Sequence, residues 1–244
     1  MPEGRNTGAG PSVLPDVSTA ELAPPRSPAR FVALGGAAAV VLTVLMVGSL
    51  DLRRASTSVT LLRRTISEYA LGPHRWVFDT AVILLAVGSL AIVGVLVSRG
   101  LARWTSAGAL AFVAWSTGLT LVVLFPKHNW AVGPSVSGDI HRVASLVAFL
   151  SLPLAATLLA RPWLRHEVWG GHARRVFRLG LLSALSFAPI LYAVLVNAVV
   201  GTPWWRVVPL GYVERLLVLV EVVAVLVAGL WAIAAAHRPK VSQW

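Results

Sequence analysis

Six apolar stretches dominate the chain, at 31–50, 76–98, 101–125, 141–160, 176–200 and 213–236. A helix needs roughly 20 mostly apolar residues to cross a bilayer, and it survives there because it satisfies every backbone polar group without water. Each stretch is long enough. The expected fold is therefore all-α, a polytopic six-helix transmembrane bundle. Composition agrees, since 57% hydrophobic and 13% charged residues with a mean hydropathy of +0.75 lie far from the roughly 45–50% apolar and 25% charged of soluble domains. Within 244 residues there is room for one transmembrane domain over 31–236 and no second folded domain. Cysteine is absent, which excludes disulfides and thiolate chemistry.

The flanks read differently. Residues 1–30 are rich in Pro, Gly, Ala and Ser with few large apolar side chains, a composition that cannot offset ordering entropy, so a disordered tail is expected there. Residues 237–244 form a short C-terminal tail. The first span runs into Asp51-Leu-Arg-Arg without a small-residue cleavage pattern, so it reads as a retained helix and not a secretory signal. The tail, second loop, fourth loop and C-terminus together carry 12 Lys and Arg, and the opposite loops carry nine. The richer side belongs in the cytoplasm, which places both termini inside at the plasma membrane. A net charge of +11 spread over short loops points to anionic lipid headgroups as partners and not to nucleic acid.

Helix packing leaves a trace as well. Ala224, Ala228, Ala232 and Ala236 recur every four residues on the sixth span, and Ala107/Ala111 and Ala114/Gly118 on the third. Stripes of small residues let helices in a membrane approach closely.

Chemistry is concentrated on one side. Glu221 lies inside the sixth span, where an unpaired carboxylate costs several kcal/mol, and shares a helical stripe with Glu214 and Ala228. It reads as a protonatable or cation-binding group, or as an acid that ties helices together. His141 and Ser145 stand one turn apart at the head of the fourth span, with Asp139 before them as a possible cap and Arg142 beside them. The exit of the first loop carries Ser67, Glu68, His74, Arg75 and Asp79, and the fifth span adds Tyr192 and Asn197. Val59, Leu62, Ile66 and Tyr69 follow a helical spacing that predicts a short surface helix, ended by Gly72-Pro73. Together these residues predict a polar cavity open to the extracytoplasmic side, with Arg75 or Arg142 neutralising Asp79 or Glu221.

Three histidines on that side, His74, His128 and His141, invite a zinc reading, because three such ligands with an open position make a catalytic site. Their spacing matches no ligand signature, so no metal and no other cofactor is assigned. His166-Glu-Val-Trp-Gly-Gly-His172 resembles a zincin helix only superficially, since two glycines interrupt it.

Ile66-Ser-Glu-Tyr69 in the first loop, Leu124-Phe-Pro126 at the end of the third span, and His141 about 15 residues later carry a family resemblance. In that order, over about 31–236, they are similar to the bacterial membrane family catalogued as domain-of-unknown-function family 998. The resemblance implies a compact six- or seven-helix bundle in which Ser67, Glu68, Pro126 and His141 are the matching positions. It implies no activity. Lys127-His128 stands where the family pattern leads one to expect an acidic residue after Phe-Pro.

The reading favoured over an enzyme is a membrane protein that binds or moves a small amphiphile or lipid headgroup. The alternatives are an outer-face membrane-embedded hydrolase using His141 and an acid, and a structural or accessory subunit whose outer charges only pack helices.

Overall fold

The computed structural model describes residues 27–58, 63–129 and 131–240, with the side chains of Trp204 and Trp205 outside that description. Among these residues the fold is all-helical. Helix α1 runs Pro28–Thr57, α2 Arg75–Ser98, α3 Ala107–Leu124, α4 Val136–Ala160, α5 Gly170–Leu185, α6 Ala188–Val200, α7 Trp204–Val207 and α8 Leu210–Ala236, with a 3-10 helix at Ile66–Leu71. Six segments are long and apolar enough to span a membrane, α5 and α6 together forming the fifth. Of the expected N-terminal tail, residues 1–26 lie outside the described residues, and Pro28 already opens α1. Val59 and Leu62 of the expected surface helix also lie outside them; the part described is the 3-10 turn from Ile66.

Boundaries moved for local reasons. The third span starts at Ala107 and not at 101, because the Ser106 hydroxyl accepts from the Ala109 amide and caps the helix. The fourth starts at Val136, capped by Ser135, whose hydroxyl accepts from Gly138 N–H at 3.1 Å. Asp139 is thus in the first turn and is not the cap. The largest departure is in the fifth span, which is interrupted at Ser186 and Phe187. Pro189 has no N–H to return to the Leu185 carbonyl and its ring crowds that turn. Ser186 N–H keeps its helical bond to the Leu182 carbonyl at 2.9 Å but shares it with Ser183 O at 3.1 Å, Phe187 N–H drops back three residues to Ala184 O, and a new helix begins with Ile190 N–H on Phe187 O.

Helix α8 is central, packing on α1, α2, α4 and α5. Its stripe of Ala224, Ala228, Ala232 and Ala236 is buried. On α3 the close-packed positions are Gly108, Ala111 and Gly118, while Ala107 is exposed. Glycine sets the tightest crossings: a Cβ on Gly36 or Gly88 would meet the other's carbonyl oxygen at 2.9 or 2.8 Å, and one on Gly118 would meet Ala144 O at 2.8 Å. No larger residue lets these backbones approach so closely. Helix α6 is peripheral, with α7 as its main packing partner and Ala193 its one buried residue.

Candidate functional site

Glu221 is the buried acid of the bundle. It lies about 16 Å along α8 from Leu210, at about 1.5 Å per residue, which is near the middle of the helix. Its side chain is fully buried, and Oε1 accepts from the Ser183 hydroxyl of α5 at 3.3 Å. Oε2 is buried without a hydrogen-bond partner, and Glu221 takes part in no ion pair among the described residues. Ser183 is the last buried side chain before the interruption of the fifth span. One turn on, Phe187 packs edge-on against Phe149 of α4, ring centroids 6.5 Å apart. A carboxyl and a hydroxyl therefore meet one turn before the point where a membrane-length helix is broken.

A second polar group closes the end of the bundle that bears the first loop. Arg215 of α8 grips Asp51 of α1 with two bonds, Nη2 to Oδ1 at 2.6 Å and Nε to Oδ2 at 2.9 Å, and Tyr69 donates its hydroxyl to the same Asp51 at 2.7 Å. Arg54 stacks over the Tyr69 ring at 4.0 Å. Burial first, and then the Asp51 bond, pushes the Tyr69 phenol up to about 12. Beside it the Glu214 carboxylate accepts from Ile66 N–H at 2.6 Å, capping the 3-10 helix from another helix altogether. Lys127 donates to the Thr65 and Ser67 hydroxyls at 2.9 and 3.3 Å. Burial outweighs the pull of Glu68 and Glu214 and holds its ammonium below the ordinary lysine value. Ile66-Ser-Glu-Tyr69 and the segment after Phe125-Pro126 thus meet in space, joined by the lysine that departs from the family pattern.

The other expected site residues are dispersed. His141 lies between α3 and α4, and because its Nδ1 faces two carbonyls, of Val122 at 3.1 Å and Phe125 at 2.9 Å, that nitrogen carries the proton and donates to the end of α3. Ser145 donates back to the His141 carbonyl and not to its ring. His128 accepts at Nδ1 from Ser135 N–H and faces Asp139 at 3.4 Å, in space left by Gly138, where any Cβ would overlap the imidazole. Arg142 pairs with Asp139 at 3.9 Å on the surface. Asp79 pairs with Arg75 of its own helix at 2.9 Å, and Glu68 faces Arg64 at 3.8 Å. Arg53 faces the His74 ring at 3.2 Å. Asn197 donates to Thr202 O, and Tyr192 is exposed on the flank of α6.

Glu221 and His141, expected in one cavity, thus bond to different helices; of the expected neutralisations, Arg75 pairs with Asp79, while neither Arg75 nor Arg142 pairs with Glu221. Hydropathy located both but could not show which face of each helix meets which neighbour. No group of three His, Asp or Glu among the described residues is placed to hold a metal ion. A groove of about 570 Å³ lies between α3 and α4, lined by Leu110, Val113, Thr117, Leu121, Val143 and Val147 with Asp139 at one end; it is apolar and does not include Glu221.

Asp51, Arg54, Thr65 and Lys127 are the residues that pattern reading did not select. Asp51 had a readable signal: an acid at the end of an apolar stretch, with Arg215 correspondingly placed on the last span.

No curated protein and no solved structure matches the chain. A family model does match residues 37–231, which takes in both polar groups, that of Asp51 and that of Glu221, and the chain therefore belongs to the family described as "Protein of unknown function (DUF998)".

Proposed function

We propose that this integral membrane protein binds or moves a small amphiphile at mid-membrane, with Glu221 and Ser183 as the polar contacts and the loosely packed α6 as the side from which the ligand enters. The observation that carries this reading is a fully buried carboxyl oxygen without a partner, one turn from a break in a transmembrane helix. An unmet polar atom in a dry interior costs about 1–3 kcal/mol, and whereas Asp79, whose Oδ1 is also unmet, has Arg75 beside it, Glu221 forms no ion pair among the described residues. An opening is also needed, and the break itself leads into α6, which follows Ser183 in the chain and leaves Leu191, Leu195, Val199 and Val200 exposed. The Asp51, Arg215, Tyr69 and Lys127 group closes the extracytoplasmic end above this site, and both termini lie in the cytoplasm of a bacterial plasma membrane.

Photolabelling tests the reading. A dodecanol carrying a diazirine, incorporated with the purified protein in nanodiscs, is expected to mark peptides around Ser183–Phe187 and Glu221, and Glu221→Leu is expected to reduce that labelling several-fold. Labelling spread evenly over the lipid-facing surfaces of α1, α2 and α6, unchanged in the variant, would contradict it.

A further inference from the structure

The site described above lacks one thing that can be named chemically. Among the described residues the charged side chains of the packed neighbours sit at helix ends, Arg30 and Asp51–Arg54 on α1, Arg75 and Asp79 on α2, Asp139, His141 and Arg142 on α4, and His172, Arg174 and Arg175 on α5, except Arg178, which stands midway along α5 with its side chain exposed and makes no ion pair with Glu221. On α8 itself Glu214 and Arg215 are engaged with Ile66 and Asp51. Among the described residues the polar side chain that hydrogen-bonds Glu221 is Ser183, a neutral hydroxyl. A carboxylate there would be a bare charge in the centre of a bilayer, costing several kcal/mol. A carboxylic acid would be neutral and would need only modest hydrogen bonding.

Resting on that reading, we infer that the ligand is a monovalent organic cation with an apolar tail, and that it is exchanged at Glu221 for a proton. Before binding, Glu221 is the neutral acid. When the cation arrives, the carboxyl O–H bond breaks, the proton leaves to water, and the carboxylate so formed becomes the counter-ion of the ligand. The site is neutral before and after, which is what a low-dielectric interior requires. A single carboxylate sets the ligand charge at one, since a divalent ion would leave a net charge in the membrane. A metal ion is a poor fit, because a hard cation takes six or more oxygens and Glu221 and Ser183 offer few. The apolar tail is accommodated along exposed α6.

Dodecyltrimethylammonium is the probe, because its charge does not depend on pH. Calorimetry with the full chain in phosphatidylcholine nanodiscs, in buffers of different ionisation heat, reads affinity and protons released together. The expected result is about one proton released per cation and an affinity rising about tenfold per pH unit while the acid is protonated. Glu221→Gln is expected to abolish proton release and weaken the cation at least tenfold, whereas Glu221→Asp keeps both the acid and the release and serves should the Gln variant not fold. Cation binding without proton release and without pH dependence would overturn the exchange and leave the amphiphile site standing. Binding of dodecanol but not of the cation would overturn the cation assignment. Absence of both, together with absent photolabelling, would remove the proposed function as well.

Discussion

At the scale of single residues the bundle separates two kinds of buried polarity. Asp51 is satisfied by three donors, two from Arg215 and one from Tyr69, and such a group holds helices together. Glu221 has one long bond and an idle oxygen. Tyr69 allows the first kind to be measured. Its phenol is raised to about 12 from 10.0, so the folded protein binds that proton more tightly than the unfolded chain does. The stability this contributes is complete below pH 10 and is lost as pH rises from 10 to about 12. Ultraviolet titration is expected to show one tyrosine ionising near 12, and Tyr69→Phe to remove that step while lowering stability by about 1 kcal/mol at neutral pH. A titration unchanged by the substitution would contradict the Asp51 bond. Glu221 was legible as a costly residue from its place in an apolar run. Its partner was not, because Ser183 is one of several small hydroxyls in the spans and only the packing of α5 on α8 selects it.

At the scale of elements, hydropathy located the spans but not their joints. Five of the six segments are continuous helices close to the expected positions, since a period-free apolar run long enough to cross a bilayer has no other stable conformation. The fifth is interrupted, and the sequence signal of that joint is Pro189, which follows Ser186-Phe187-Ala188. Helix caps behaved similarly: Ser135 and not Asp139 starts α4, because the register depends on which side chain meets an amide two or three residues on. Crossings between helices give the sharpest prediction at this scale. Gly118→Ala places a methyl against Ala144 O and Ala148 N at 2.8 and 2.9 Å, and overpacking of this kind costs about 1–3 kcal/mol. Gly35→Ala meets nothing within 4 Å and is expected to be neutral or slightly stabilising through helix propensity. Thermal unfolding in detergent should separate the two; equal effects would show that α3 and α4 do not cross as closely as described.

For the whole molecule the decisive property is where ionisable groups lie along the membrane normal. Charged residues are held at both ends, with Arg99 capping the α8 C-terminus through the Ala235, Ala236 and Arg238 carbonyls at one of them. Between the ends stands Glu221, fully buried, with its hydroxyl partner Ser183 one turn before the break in the fifth span. The family resemblance carried by Ile66–Tyr69, Pro126 and His141 was readable, and those residues converge on the first-loop end, where they fasten loops to helices. They do not reach the acid. A carbodiimide reads this arrangement directly, because it attacks protonated carboxyls and its solubility selects where it can go. Dicyclohexylcarbodiimide, which partitions into the bilayer, is expected to modify Glu221 in preference to the other nine of the ten Asp and Glu, and a water-soluble carbodiimide is expected to spare it, both located by peptide mass spectrometry. Modification of Glu221 by the water-soluble reagent, or by neither, would show that this side chain is not a neutral acid held in the middle of the membrane.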